Sequence, residues 1–263
     1  MPKISVLMSA WNENPTFLKK SIESILSQSF TDFEFIIIND GSSKETSDIL
    51  KKYVQNDNRV ILLENASNLG LTRSLNIGIR KSKGEFIARM DSDDISSPER
   101  LEKELGFISK NNFDLIMANC DFINNKDEII KQKILSPITD LKKSLMKGNF
   151  FIHSTFFGKK KVFNELYNEK FQRAQDYEFL LRVLGKGYEL GQMSDSVLKY
   201  RINTESISIK KAKQQEFCAL KARLLAITKY GYGYSFLPYL LRSLLILMLP
   251  YKLKNFIVYK ILK

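Results

Sequence analysis

The sequence predicts an α/β protein, in which a mostly parallel central sheet is flanked by helices and followed by a mixed half and a helical tail. Three observations carry that expectation. Over residues 1–95, short runs rich in Ile, Val and Phe alternate with longer segments whose apolar residues recur at helical spacing. The short runs are apolar without alternation, as strands buried on both faces must be. The chain has 263 residues and 44% apolar content, enough to bury a full core and too much for disorder.

Taken in order, "KISVLMSAW" is a buried-strand candidate over residues 4–8. "NPTFLKKSIESILSQ" follows as a helix. Asn14 suits its cap, Pro15 suits its first turn, and Phe17, Leu18, Ile22, Ile25 and Leu26 form its apolar side. "FEFIIIND" is a second strand that ends at Asp40 and Gly41, and a helix is expected over residues 45–53. "RVILLEN" is a third strand. "LTRSLNIGIRKSKG" is a short helix with Leu71, Leu75 and Ile79 inward, closed by Gly84. "EFIARM" is a fourth strand. This order indicates parallel strands joined by crossover helices, a Rossmann-like nucleotide-binding half over residues 1–95.

The pattern then changes. Pro98 opens a helix that runs to about residue 110, and "DLIMANCDFI" reads as a strand. "NNKDEIIKQKIL" is a hairpin or a loop, and "NFFIHSTFFGKK" a further strand. "RAQDYEFLLRVLGKG" gives a polar loop and a helix from Asp176, and "VLKYRI" a late strand. Residues 96–210 therefore read as a mixed half of the same domain. Residues 211–263 form a helical tail. Its "SFLPYLLRSLLILMLPYKLKNFIVYKILK" is strongly apolar, but Pro238, Arg242 and Pro250 interrupt it well short of the ~20 apolar residues of a spanning helix. With Lys252, Lys254, Lys260 and Lys263 beside its leucines, it suits amphipathic helices lying on an anionic membrane. The alternative is a helical hairpin that packs on the core or on a second subunit, as in a homodimer.

Forty-one Lys and Arg oppose 29 Asp and Glu, a formal charge of +12 that favours anionic partners. A P-loop NTPase is excluded, because no GxxxxGK[ST] occurs. Nucleic acid is not the expected partner. The basic residues are dispersed, and no zinc motif or RNP-like strand stands out. Cys120 and Cys218 lie far apart in apolar surroundings and read as buried, reduced thiols of a cytoplasmic protein. "MPKISVLMS" is too short in its apolar run for a signal peptide and reads as the first strand.

Against this basic background stands "FIARMDSDDISSPER", with Asp91, Asp93 and Asp94 at the end of a predicted strand. Open α/β sheets bind ligands at that edge. Hard carboxylate oxygens suit Mg²⁺ or Mn²⁺, above all when substrate phosphates complete the shell. Read alone, the turn is equally a solvated acidic turn beside a helix start. An EF-hand is excluded by the missing later ligands.

Together, "ISVLMSAWNE", "FIIINDGSSKETSDIL", "NLGLTRSLNIGI", "FIARMDSDDISSPERLEKEL" and "RAQDYEFLLRV" resemble the inverting nucleotide-sugar glycosyltransferases of family 2, which have the GT-A fold. The resemblance spans about residues 3–205 and is nearest to bacterial enzymes of O-antigen, capsule and exopolysaccharide synthesis. It implies transfer of a sugar from a nucleotide-sugar, UDP-linked by expectation, to a lipid-linked saccharide, with Mn²⁺ or Mg²⁺. It also implies a peripheral position on the inner face of the cytoplasmic membrane. Carried over by residue, Ala10 and Glu13 fall in the loop that meets the nucleoside, Asp40 at the aspartate that bonds the base, and Arg73 at a basic position near base or diphosphate. Asp91 and Asp93 match the DxD pair, the first nearer the ribose and the second nearer the metal. Asp176 matches the catalytic base, with Gln175 in place of the usual preceding Glu. Trp11 stands where a Tyr or Phe is common.

The chemistry of that set is coherent. A carboxylate at Asp176 takes the proton of an attacking hydroxyl, while charge that gathers on the leaving diphosphate is met by a cation at Asp93. Arg73, Asn76 and Arg80 share a helix face and form a candidate ligand-facing strip. His153, the only histidine, is either structural or faces the cleft near the diphosphate or metal; alone, it rules out a multi-histidine zinc site. A sugar-phosphate nucleotidyltransferase is the competing enzyme class, but "MSAWNENP" has no glycine with which to cradle a phosphate. A non-enzymatic nucleic-acid-binding module is the competing class without catalysis.

Overall fold

The computed structural model of the chain describes residues 1–202 and 212–248. The strands are β1 (Ile4–Ala10), β2 (Phe33–Asn39), β3 (Val60–Glu64), β4 (Phe86–Asp91), β5 (Ile95–Ser96), β6 (Leu115–Ile123), β7 (Ile129–Lys133), β8 (Phe157–Lys159) and β9 (Leu190–Arg201). The helices are α1 (Pro15–Leu26), α2 (Lys44–Asn56), α3 (Leu71–Lys81), α4 (Arg100–Asn111), α5 (Leu141–Lys147), α6 (Lys160–Phe163), α7 (Gln175–Gly185), α8 (Ala212–Thr228) and α9 (Leu237–Met248). Helix α1 starts as its sequence dictates: the Asn14 side chain accepts the amide N–H groups of Thr16 and Phe17, and Pro15 occupies the first turn.

The sheet runs in the order β3-β2-β1-β4-β8-β6-β9-β5, with β7 hairpinned onto β6. Strands β3, β2, β1 and β4 are parallel. Strand β8 is antiparallel to both β4 and β6, while β6 and β9 are parallel. The expected parallel first half and mixed second half are both present. One sheet face carries Val6, Met8, Phe35 and Ile37 against Leu18 and Ile22 of α1, Leu50 of α2 and Leu101 of α4. The other carries Leu7, Ile36, Ile38 and Ile87 against Leu75 and Ile79 of α3 and Phe179 and Leu180 of α7. Period-2 alternation thus feeds two separate cores, one per face.

The edge at the ends of β1 and β4 is curled. The chain leaves β4 at Asp91 and by Ile95 is in β5, four places along the strand order and paired with Lys199 of β9. On a flat sheet those places would span roughly 19 Å at strand spacing. The linking residues reach at most about 14 Å when fully extended. Only a sheet folded over on itself lets the Asp91–Asp94 turn make that step, and the fold brings β9 behind the turn.

Several expectations are corrected. In "NFFIHSTFFGKK" only Phe157–Lys159 is a strand; His153–Thr155 forms a 3-10 turn, because Ser154 bends inward to donate to Asp94 at 2.6 Å. Helix α3 ends at Lys81, before Gly84. Gly84 serves a close approach instead: a Cβ there would lie 2.5 Å from the Ser5 nitrogen. Asn76 does not face a ligand. It is buried, donates to the Tyr167 carbonyl at 2.9 Å and accepts from the Tyr167 N–H at 2.8 Å, and so clamps the segment before α7 onto α3. Cys120 is buried, but Cys218 is only half-buried.

The described part of the tail packs on the core. Ala222, Ala226 and Ile227 of α8 are buried, and Arg223 donates to the Met146 carbonyl at 3.0 Å. The Tyr230 hydroxyl donates to Glu178 of α7 at 2.7 Å. Helix α9 buries Leu240 but exposes Leu237, Leu241, Leu244 and Leu245. Among the described residues, no helix is long and apolar enough to cross a membrane. Pro250 and the lysines at 252, 254, 260 and 263 lie outside the described residues.

Candidate active site

Strand register assembles the site. Ser9 pairs with Asp91 and Ala10 with Asn39, so the ends of β1, β2 and β4 reach one edge together. The loops that leave this edge carry Trp11, Glu13, Asp40 and the acidic turn. Trp11 is about half exposed on the rim, at 52%.

The acidic turn has three differently treated carboxylates. Asp91, Asp93 and Asp94 each offer one oxygen within 4.8 Å of the others. Asp94 is fully buried and spent on structure: Ser154 donates to one oxygen and the Arg201 N–H, at 2.8 Å, to the other. Asp91 forms an ion pair with Arg89. Burial first, then the negative charges of Asp93 and Asp91, hold the Asp94 carboxyl well above its ordinary value, and Asp93 is likewise disfavoured as an anion. Its own burial, then the negative charges of Asp91 and Glu13, push Asp93 up to about 7. Glu13 faces the turn and accepts from the Ser92 hydroxyl at 3.3 Å. Hard oxygens crowded until they resist ionisation are a donor set that a divalent cation relieves, and these residues fit Mn²⁺ or Mg²⁺.

Arg89 is the residue sequence reading missed. It lies mid-strand in "FIARMD", 2% exposed, and its Nε has no hydrogen-bond partner. Burial works against its charge, but Asp91 more than offsets that, so Arg89 stays cationic. Its charge reaches Asp93, His153, Tyr167 and Asp176. The DxD turn of β4 and the start of α7, distant in sequence, therefore converge on one guanidinium. A basic residue inside an otherwise apolar run, two places before the acidic turn, was the available signal.

Asp176 sits in the first turn of α7, after Ala174 in the left-handed region at φ 52°. Burial pushes its carboxyl up from the ordinary value. The N–H groups of Tyr177 and of Asp176 itself, the Arg89 charge and the Asn149 amide pull it back only in part. A half-buried carboxylate that still prefers to gain a proton is what a general base requires.

The remaining predicted residues are placed less simply. The two Asp40 oxygens accept from Asn65 Nδ2 at 2.7 Å and from the N–H groups of Leu69 and Gly70 at 2.8 and 2.9 Å. Asp40 thus fastens the loop before α3, and Gly41 at φ +67° lets that loop come close, since a Cβ would lie 2.4 Å from the Ser67 carbonyl carbon. The Ala10 carbonyl already accepts from the Asp40 N–H and the Ser42 hydroxyl. Arg73 is surface-exposed and pairs with Glu169 at 3.5 Å. His153 Nε2 lies 2.8 Å from the Tyr167 hydroxyl, and the Arg89 charge reaches its ring. Burial and Arg89 hold its ring neutral.

Residues 5–167 match the family model described as glycosyl transferase family 2. The chain is 35% identical to an uncharacterized glycosyltransferase of Methanocaldococcus jannaschii, over 82% of this chain and 76% of that protein. It is also 35% identical to the O-antigen biosynthesis glycosyltransferase WbnJ of Escherichia coli, over 77% and 81% respectively. Its fold is similar to that of S. aureus TarS solved with UDP-GlcNAc, with a TM-score of 0.74 and 18% identity over 92% of this chain and 71% of that one.

Proposed function

The chain belongs to glycosyl transferase family 2 and has glycosyltransferase activity, and from that premise we propose that it moves a sugar from a UDP-sugar to a lipid-linked saccharide during synthesis of a bacterial surface polysaccharide. The observation that carries this reading is the convergence of the Asp91–Asp93 turn and Asp176 on Arg89, at the edge where a parallel sheet receives a nucleotide.

Asp176 is the base. The acceptor hydroxyl gives its proton to Asp176 as its oxygen bonds to the anomeric carbon. The bond from that carbon to the diphosphate oxygen breaks on the opposite face, so the sugar inverts in one displacement. Asp93, with Asp91 beside it, would hold Mn²⁺ or Mg²⁺, which when bound supplies positive charge for the departing diphosphate. Residues 1–95, with Trp11, Ala10, Glu13, Asp40 and Arg73, take the nucleotide, and residues 96–210 take the acceptor. Trp11 offers an exposed ring for stacking on the base.

The exposed leucines of α9 support a peripheral position on the cytoplasmic face of the membrane, where a lipid-linked acceptor is confined. The test is a panel of UDP- and GDP-sugars incubated with the protein and Mn²⁺, read as released nucleotide. One UDP-sugar should be turned over above the rest and chelator should abolish the signal. Release from none of them overturns the reading.

A further inference from the structure

Asn149 is not among the residues matched by the family motifs, yet its side chain touches the proposed base. It follows α5 and Gly148 in the segment that leads to the 3-10 turn. Its Oδ1 accepts the Phe151 N–H at 3.1 Å, and its Nδ2 donates to Asp176 Oδ2 at 2.7 Å. The first bond decides the second. A backbone N–H can only donate, so it must meet the amide oxygen, and the amide NH₂ is left to face Asp176.

We infer that Asn149 is a positioning residue for catalysis: it reserves Asp176 Oδ2 as a permanent acceptor and leaves Oδ1 as the atom that takes the acceptor's proton. This rests on the reading of Asp176 as the base. If the proton settled on Oδ2, that oxygen would become a neutral, poorer acceptor, and the short charge-assisted bond from Asn149 would be weakened. Protonation is thereby steered to one oxygen, and the carboxyl plane is fixed before the acceptor arrives. The balance is simple. The hydroxyl O–H breaks, its proton goes to Oδ1, and its electron pair forms the new glycosidic bond. The pair of the broken sugar–phosphate bond leaves with the diphosphate.

The groups that bear on Asp176 from the surrounding elements are few among the described residues. Arg89 of β4 favours its anion, and Tyr167, from the segment clamped by Asn76, feels its charge. Glu178, two residues further along α7, is already bonded by Arg182 and Tyr230. Within α7 the N–H groups of Tyr177 and of Asp176 itself also bond the carboxylate, and Asn149 is the side-chain donor to it.

Asn149→Asp separates positioning from mere support. The isosteric carboxylate can still accept the Phe151 N–H, so the turn is preserved, but it replaces the donor to Asp176 by a like charge. The acidic limb of the kcat profile should move up by about one to three pH units, with turnover at a pH below the limb down roughly tenfold or more and recovered at higher pH. The donor KM should stay within about twofold, since only an interaction with the reacting atoms is lost. Asn149→Ala should shift the same limb upward by less and is the second variant if the first folds poorly. Profiles of both variants that superimpose on wild type, while Asp176→Asn is inactive, overturn the positioning role alone. Wild-type turnover by Asp176→Asn overturns both the base and this inference.

Discussion

Arg201 is the position where one substitution tests how the acidic turn is held. Its side chain is fully buried, although the next residue, Ile202, is exposed. Nε donates to the Asp93 carbonyl, and Nη1 to the Asn124 carbonyl, each at 2.8 Å. Nη2 pairs with Asp127 at 2.6 Å, and the guanidinium lies 4.0 Å from the Phe17 ring centroid. Burial pushes Asp127 up, but hydrogen bonds from Lys20 and Arg201 outweigh it and hold the carboxyl below its usual range. Arg201→Met keeps the apolar stem and removes every donor. Orphaning the two carbonyls costs about 1–2 kcal/mol each. Loss of the desolvated contact with Phe17 costs roughly 1–2 kcal/mol more. Asp127 adds little, because it is partly exposed and keeps Lys20. The whole is about 3–6 kcal/mol. At about 2–4 °C per kcal/mol for a chain of this size, Tm should fall by roughly 6–24 °C in calorimetry. Mn²⁺ titration should weaken in parallel, because the Asp93 carbonyl no longer anchors the turn. Arg201→Lys should fall between, since an ammonium cannot span all three acceptors. A Tm within about 2 °C of wild type and an unchanged Mn²⁺ Kd for the methionine variant would refute the strut.

Four further outcomes are expected. Asp93→Asn should melt like wild type and lose nearly all metal-stimulated turnover, whereas full activity of that variant in chelator-treated buffer would end the metal-dependent reading. Asp176→Asn should bind donor normally and lose about 10²-fold or more in kcat. In the wild type, because burial raises Asp176 and the base must be ionised, kcat should rise with pH through a limb above the ordinary carboxyl value of about 4; a limb below that value contradicts the assignment. Deleting residues 249–263 and replacing Leu241 and Leu245 with Gln should reduce co-sedimentation with anionic vesicles without lowering donor hydrolysis. Equal sedimentation of altered and native protein would remove the membrane surface as the role of α9.

Short-range information was enough for most of the architecture. Asn14 and Pro15 mark the start of α1 through groups two or three residues away, and the apolar runs of β1, β2 and β4 need only their own composition to be strands buried on both faces. The acidic turn and Asp176 were legible for the same reason, as short patterns in a recognisable order. The uses of individual side chains were not legible. Asp40 was read as a contact to the base, and its oxygens also hold Leu69 and Gly70; Asn76 looked ligand-facing and instead clamps Tyr167. Arg89, Asn149 and Arg201 gained their meaning from partners across the fold: Asp176 is 27 positions from Asn149, and Asp93 is 108 from Arg201. Periodicity reports which face of an element is buried, because the period belongs to the backbone of that element. Which polar atoms then meet depends on where the sheet curls and which loop lies beside it, and only the closed tertiary structure decides that.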